Sequence, residues 1–252
     1  MTFKTRSAKR GSESGFTLVE LAIVMIIIGL LVGGILKGQE LIVNARVSST
    51  VAQIKGIDAA TTTFQDKYNG LPGDLIAAAT RIPPMCGAGV ACTNGDGNGR
   101  ISTAPGVVPG VESQQFFQQL NAADLASGVN PPIGAVIGGF YPASSLGGGF
   151  NVGHTPGSVA LTNSLATAAN SRAGHYLSLV ANPAAAAPAT GIINPNHLGR
   201  IDAKMDDSSP TTGSVFGGGV TALGAGGCAR TATEYNDSVE STLCNAYIRF
   251  HQ

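Results

Sequence analysis

Residues 15–36 read GFTLVELAIVMIIIGLLVGGIL, and between Phe16 and Leu36 the one charged residue is Glu20. A helix rising ~1.5 Å per residue covers a ~30 Å hydrocarbon layer over this length. Lys4, Arg6, Lys9 and Arg10 precede the run and the next cation is Lys37. That asymmetry keeps the amino end cytoplasmic and sends the remainder across the membrane. A secretory signal has a shorter apolar core ending in a small-residue cleavage site, and no A-x-A-like site ends this run. A plain membrane anchor is the other simple reading. Glu20 fits neither, because a carboxylate inside a membrane segment costs about 2.5–3.5 kcal/mol and normally has a specific partner. An α-amino group on Phe16 of a neighbouring chain would be such a partner, provided the chain is cut between Gly15 and Phe16.

A Lys/Arg-rich leader, then Gly15-Phe16-Thr17-Leu18-Val19-Glu20, then an unbroken apolar stretch, resembles the signal of type IV pilins and pseudopilins. The resemblance implies that a prepilin peptidase cuts after Gly15 and methylates the new amino-terminal Phe16. It also implies that Glu20 docks each subunit into a growing fibre. Many members of that family have a helix-breaking Pro where this chain has Lys37. Here Gly29, Gly33, Gly34 and Gly38 cluster instead, each costing ~1 kcal/mol relative to Ala in a helix. They predict a stretch able to bend or unwind in a filament, and they form small-xxx-small pairs suited to close helix contact.

The helical pattern continues beyond the apolar run. Val43, Val47, Val51, Ile54, Ile57, Thr61, Phe64 and Tyr68 recur at steps of three or four, one stripe of an amphipathic helix. Asn69-Gly70 and Leu71-Pro72-Gly73-Asp74 end it. The expected organisation is a cleaved leader over 1–15, a helix over 16–68 whose segment 16–36 spans the membrane, and a globular head over 69–252. The fold class is α+β: a long amino-terminal helix, first membrane-spanning and then amphipathic, carrying a loop-rich head with a small antiparallel sheet.

In the head, ESQQFFQQLNAADLA (112–126) places Phe116, Leu120 and Ala123 at helical spacing. Asn194-Pro195 before Leu198, Ile201 and Met205 predicts a second helix, with Asn as N-cap and Pro at the first position. Strands are expected at 134–140, 175–181, 214–223 and 245–250, and PAAAAPA (183–189) reads as a surface linker. With 35 Gly and 13 Pro but 43% apolar residues, the composition is that of a loop-rich folded chain rather than a disordered one.

Cys86, Cys92, Cys228 and Cys244 allow three disulfide pairings. Proximity and export favour 86–92 and 228–244, and a carboxy-terminal disulfide loop agrees with the pilin resemblance. Zinc is the rival reading, unsupported by a C-x-x-C pair or a neighbouring His.

Asn94-Gly95-Asp96-Gly97-Asn98-Gly99-Arg100-Ile101 matches the first eight positions of an EF-hand loop, but position 12 is Pro105, which supplies no carboxylate. One reading is a weak Ca²⁺ loop using Asn94, Asp96 and Asn98, completed by carboxylates such as Asp206 and Asp207. The other is a Gly/Asn turn held by its own Asx bonds, which the missing carboxylate favours. Asp206 and Asp207, at an expected helix carboxy end, are opposed by the macrodipole. Ca²⁺, an Arg or backbone amides must offset this. The order LPGD, NGDGNG, a short aromatic-bearing helix, then DD-x-x-P-x-x-G extends the resemblance as far as Gly213.

Fifteen Lys+Arg balance fifteen Asp+Glu, and removing residues 1–15 leaves 11 cations against 14 anions. That balance argues against nucleic acid as a partner. His154, His175, His197 and His251 are scattered, with no G-x-S-x-G, H-E-x-x-H or phosphate-loop motif near them, so no enzymatic activity is expected. The resemblance implies a structural subunit of a type IV pilus, with adhesion among the roles of such a fimbrium. Its partners would be copies of itself and other pilins, the prepilin peptidase, the inner-membrane assembly machinery and the outer-membrane secretin. It would wait in the inner membrane as a precursor and then reach the cell surface in a pilus. A pseudopilin of a type II secretion system and a membrane-anchored extracytoplasmic binding module are the alternatives.

Overall fold

The computed structural model describes residues 15–82, 92–130, 134–187, 191–221 and 223–251. It divides into two compact units, 1–44 and 45–252. Helix α1, Leu18–Tyr68, runs unbroken through 51 residues, the four clustered glycines included. From Leu18 to Leu36 its residues are exposed throughout, and all but Glu20 are apolar. From Val47 onward the pattern changes: Val47, Thr50, Val51, Ile54, Ile57, Ala60, Thr61, Phe64 and Tyr68 are buried. That is the expected stripe, starting one turn later than Val43 because Val43 is half-exposed. Thr61, inside the stripe, satisfies its hydroxyl by donating to the Ile57 carbonyl at 2.8 Å.

In the second unit, α2 (Ala78–Arg81) and α3 (Val111–Ala122) precede β1 (Gly149–Thr155) and β2 (Gly174–Val180). Helix α4 (Pro195–Met205), β3 (Val215–Gly219) and β4 (Cys244–His251) follow. The four strands form one antiparallel sheet in the order β1-β2-β4-β3. The architecture is α+β. The buried stripe of α1 shares one apolar core with Phe116, Phe117 and Leu120 of α3 and with Phe150, Val152, Leu177, Leu179 and Ile248 of the sheet. A smaller cluster around Tyr176, Phe216 and Tyr247 lies apart from it. Ser113 of α3 donates to Asn151 Oδ1 at 2.6 Å and also to the Val152 carbonyl, tying α3 to β1.

Three sequence expectations need correction. Residues 134–140 form no strand, because Gly134 and Gly138 both have positive φ and the segment turns back on itself through Phe140 N–H to the Gly134 carbonyl. The missing strand lies later, at β1. The stretch 183–187 is not a loose surface linker: Pro183 and Ala187 are buried. The Ala187 N–H donates to the Gly106 carbonyl, and the Ala187 carbonyl accepts from Asn163; residues 188 and 189 lie outside the described residues. The third strand ends at Gly219 rather than continuing to 223.

Candidate functional site

The start of α1 is a reciprocal cap. Thr17 donates both its backbone N–H and its hydroxyl to Glu20 Oε2, each at 2.9 Å, and the Glu20 N–H donates back to Thr17 Oγ1 at 3.2 Å. This T-x-x-E box satisfies donors that a helix start leaves open. It also fixes the Glu20 carboxylate beside residue 17, one position from Phe16. Phe16 is 92% exposed, and Leu18, Leu30, Leu31, Ile35 and Leu36 along the same helix are exposed as well. Among the described residues α1 is the one helix long and apolar enough to cross a membrane.

Residues 10–36 match the family model described as the prokaryotic N-terminal methylation motif, the prepilin signal of type IV pilins and pseudopilins. The matched stretch contains Gly15, Phe16, Thr17 and Glu20. It supports a type IV pilin-like or pseudopilin protein and fits a membrane-anchored precursor. Type IV pilin-like proteins are structural, and a signal of this kind implies processing by a prepilin peptidase. No curated protein and no solved structure matches the chain.

In the head, the acids expected to meet do not meet as one set. Asp96 is grouped with Asp74 and Glu112, their ligand-capable oxygens within 4.8 Å of one another, whereas Asp206 and Asp207 are grouped with Asp202. In the first group all six carboxylate oxygens accept hydrogen bonds. Asp74 takes the N–H groups of Gly97 and Gly99, each at 2.7 Å. Glu112 takes the N–H of Asp96 at 3.3 Å and both the N–H and hydroxyl of Ser102, the former at 2.7 Å. Asp96 takes Asn98 at both oxygens. Asn94 accepts from the Ala78 N–H at 2.9 Å. The NGDGNG segment is therefore a turn folded around two carboxylates from elsewhere in the chain. Burial pushes the Asp74 carboxyl up, against the opposing pull of the Gly99 and Gly97 amides, and the nearby Asp96 and Glu112 push it further. LPGD needs its Gly as well: Gly73 has φ +86°, and a Cβ there would lie 2.3 Å from the Glu112 carbonyl oxygen.

The second acidic spot is held by donors close in sequence. Asp206 accepts from the N–H of Ser214 and, at 3.4 Å, from that of Val215. Asp207 accepts from the Ser209 N–H at 2.9 Å and the Thr212 hydroxyl at 2.5 Å. Backbone amides thus offset the macrodipole. Gly213 follows from the same turn, since its φ is +78° and a Cβ would sit 1.7 Å from Asp206 Oδ2.

Asp202, one turn earlier on α4, is fully buried and accepts from the Tyr235 hydroxyl at 2.8 Å and the Ser208 N–H at 3.3 Å. Burial raises its carboxyl to about 7; the Tyr235 hydrogen bond pulls against this, and Asp207 and Asp206 add to it. Tyr235 belongs to the loop that Cys228 and Cys244 close with a disulfide, their Cα atoms 5.0 Å apart. Asp202 therefore pins that loop to α4. Cys92 is disulfide-bonded too; its expected partner Cys86 lies outside the described residues.

Sequence spacing missed Asp74, Glu112 and Asp202 as organising carboxylates, and it read the histidines as scattered. His154 on β1 and His175 on β2 are direct register partners with ring centroids 4.9 Å apart. Asp74 followed by a Gly/Asn-rich turn was the one local signal available, and the rest required knowing the fold.

Proposed function

We propose that this chain is a prepilin whose α1, freed of its leader by cleavage between Gly15 and Phe16, polymerises into the core of a type IV pilus. The membrane holds the cut subunit through the apolar part of α1. The Glu20 carboxylate then neutralises the methylated amino terminus of a neighbour's Phe16, and packing of apolar helix surface against other copies replaces lipid contact. Cleavage is essential in this scheme, because an uncut leader leaves no amine at Phe16 and carries Lys4, Arg6, Lys9 and Arg10 into an apolar core. The observation that carries the proposal is the methylation motif over 10–36; the capped Glu20 and the exposed apolar run from Leu18 to Leu36 support it. Prepilin peptidase, the inner-membrane assembly machinery and the outer-membrane secretin would be the partners, and a surface fibre the destination.

The test is Glu20→Ala in cells, followed by shearing and immunoblotting of surface and membrane fractions. The expected result is a cleaved chain that stays in the membrane and no chain in the sheared fraction. Normal fibres from that variant would sink the docking role. A wild-type chain that is cleaved yet never sheared from the surface would instead identify a pseudopilin.

A further inference from the structure

The chain contains three Asn-Gly steps, Asn69-Gly70, Asn94-Gly95 and Asn98-Gly99. Such a step can rearrange without an enzyme. The Gly nitrogen, once it gives up its proton, attacks the carbonyl carbon of the Asn side chain. The side-chain nitrogen leaves as ammonia, and a five-membered succinimide closes. Water then opens the ring at either carbonyl, leaving Asp or isoaspartate. Gly favours the reaction because it has no Cβ to shield the nitrogen and its backbone turns freely. A Gly N–H already donated to an acceptor is held away from the reaction, and so is an Asn amide whose oxygen is bonded in place.

The fold guards two of the three steps. Gly95 donates its N–H to the Leu75 carbonyl at 3.1 Å, and Asn94 Oδ1 accepts from the Ala78 N–H at 2.9 Å. Gly99 donates its N–H to Asp74 at 2.7 Å. Asn98 is bonded at both ends, accepting from the Arg100 N–H at 2.8 Å and donating to Asp96 at 2.7 Å. The step that closes α1 differs. Among the described residues, neither the Gly70 N–H nor the Asn69 side chain has a hydrogen-bond partner. Asn69 is exposed and has a φ of +47°. Both residues line a cavity of about 220 Å³, open to water and shared with Arg81. The Arg81 guanidinium donates to the Tyr68 carbonyl, which sets a cation beside the step whose amide must lose a proton. We propose that Asn69-Gly70 is a site of spontaneous modification, converted by water to Asp or isoaspartate while Asn94 and Asn98 persist. Isoaspartate there adds a carbon to the backbone of the turn that ends α1. Either product places a carboxylate at the helix carboxy end, where the macrodipole opposes it. The chemistry is independent of filament assembly, since it needs only the folded head and water.

The experiment ages the full chain, purified in detergent, in mildly alkaline buffer below its melting transition, and follows it by tryptic peptide mass spectrometry. Cuts after Lys67, Arg81 and Arg100 leave Asn69 alone in one peptide and Asn94 with Asn98 in the next. Each conversion of amide to carboxylate adds about one mass unit. Fragmentation separates Asn94 from Asn98 and isoaspartate from Asp. The expected result is conversion of Asn69 about tenfold faster than either other Asn, the order of protection that one hydrogen bond confers. In urea all three should convert at similar rates. Equal rates in the folded chain would overturn the proposal, as would an Asn69 that stays intact when folded yet converts in urea. Asp74→Ala supplies a second check, since it takes the acceptor from the Gly99 N–H. It is expected to raise the Asn98 rate while Asn69 keeps its own; an unchanged Asn98 rate would overturn hydrogen bonding as the protecting feature.

Discussion

Glu20 Oε2 accepts both the backbone N–H and the hydroxyl of Thr17, each at 2.9 Å. The carboxylate proposed to meet a neighbour's amino terminus is thereby held, before any docking, within the first turn of its own chain. Thr17→Ala removes the hydroxyl half of the cap and leaves the N–H half, a loss of about 1 kcal/mol in helix-start order. The expected outcome is normal cleavage with fibre yield lowered by about fivefold, measured by immunoblot of sheared material. Wild-type yield would show that the box plays no part in presenting Glu20.

The carboxy-terminal loop is held twice, by Cys228–Cys244 and by Tyr235 on Asp202. Closing a loop of this size is worth about 3 kcal/mol in the chain-entropy model. The double variant Cys228→Ala, Cys244→Ala is therefore expected to lose about 2–4 kcal/mol in denaturant unfolding of the head.

Asp202 makes head stability depend on pH in a direction opposite to that of a salt-bridged carboxylate. Its folded-state value of about 7 stands above the ordinary 3.8. Between about pH 4 and pH 7 the folded head thus holds a proton that the unfolded chain has released. The stability from this group is complete below the unfolded value and is lost as pH rises through 7, with a slope of at most about 1.4 kcal/mol per pH unit. Asn at this position keeps an acceptor for the Tyr235 hydroxyl but does not titrate. Chemical denaturation from pH 4 to 8 is expected to show a steeper decline in the wild type than in Asp202→Asn. Parallel curves would contradict the assignment.

Asp74 organises the NGDGNG turn through the N–H groups of Gly97 and Gly99. Asp74→Ala removes the acceptor shared by both N–H groups, at about 0.5–1.5 kcal/mol for each hydrogen bond lost. The melting temperature of the head should fall, with faster amide exchange at Gly97 and Gly99. Since all six oxygens of Asp74, Asp96 and Glu112 already accept hydrogen bonds, chelator and millimolar Ca²⁺ are expected to give the same melting temperature. A rise with Ca²⁺ would show that the carboxylates exchange these donors for a cation that seeks six to eight oxygens.

What the sequence made legible follows from how local each signal is. The stripe on α1 could be read because Val47, Val51, Ile54, Ile57, Thr61, Phe64 and Tyr68 repeat at helical spacing and are buried together. Helix α4 could be read from its cap: Asn194 accepts from the Asn196 N–H at 2.8 Å, and Pro195 opens the helix. Strand β1, GFNVGHT, could not, because only Phe150 and Val152 on it are large and apolar, and Gly147, Gly148, Gly149 and Gly153 around them read as loop. Asn151 is inside because Ser113 partners it, and that contact spans 38 residues. The same holds for the site. Gly15 to Glu20 is a contiguous motif and is visible as such. Asp74 with Glu112, and His154 with His175, are brought together only by folding of the head.

The most direct test of the account is the intact mass of the chain recovered from sheared surface fibres, with and without reductant. A chain that begins at methylated Phe16 and gains about four mass units on reduction, as two disulfides open, is the expected result. A surface or membrane chain that still begins at Met1 would contradict it, because Glu20 would then have no amino-terminal Phe16 to meet.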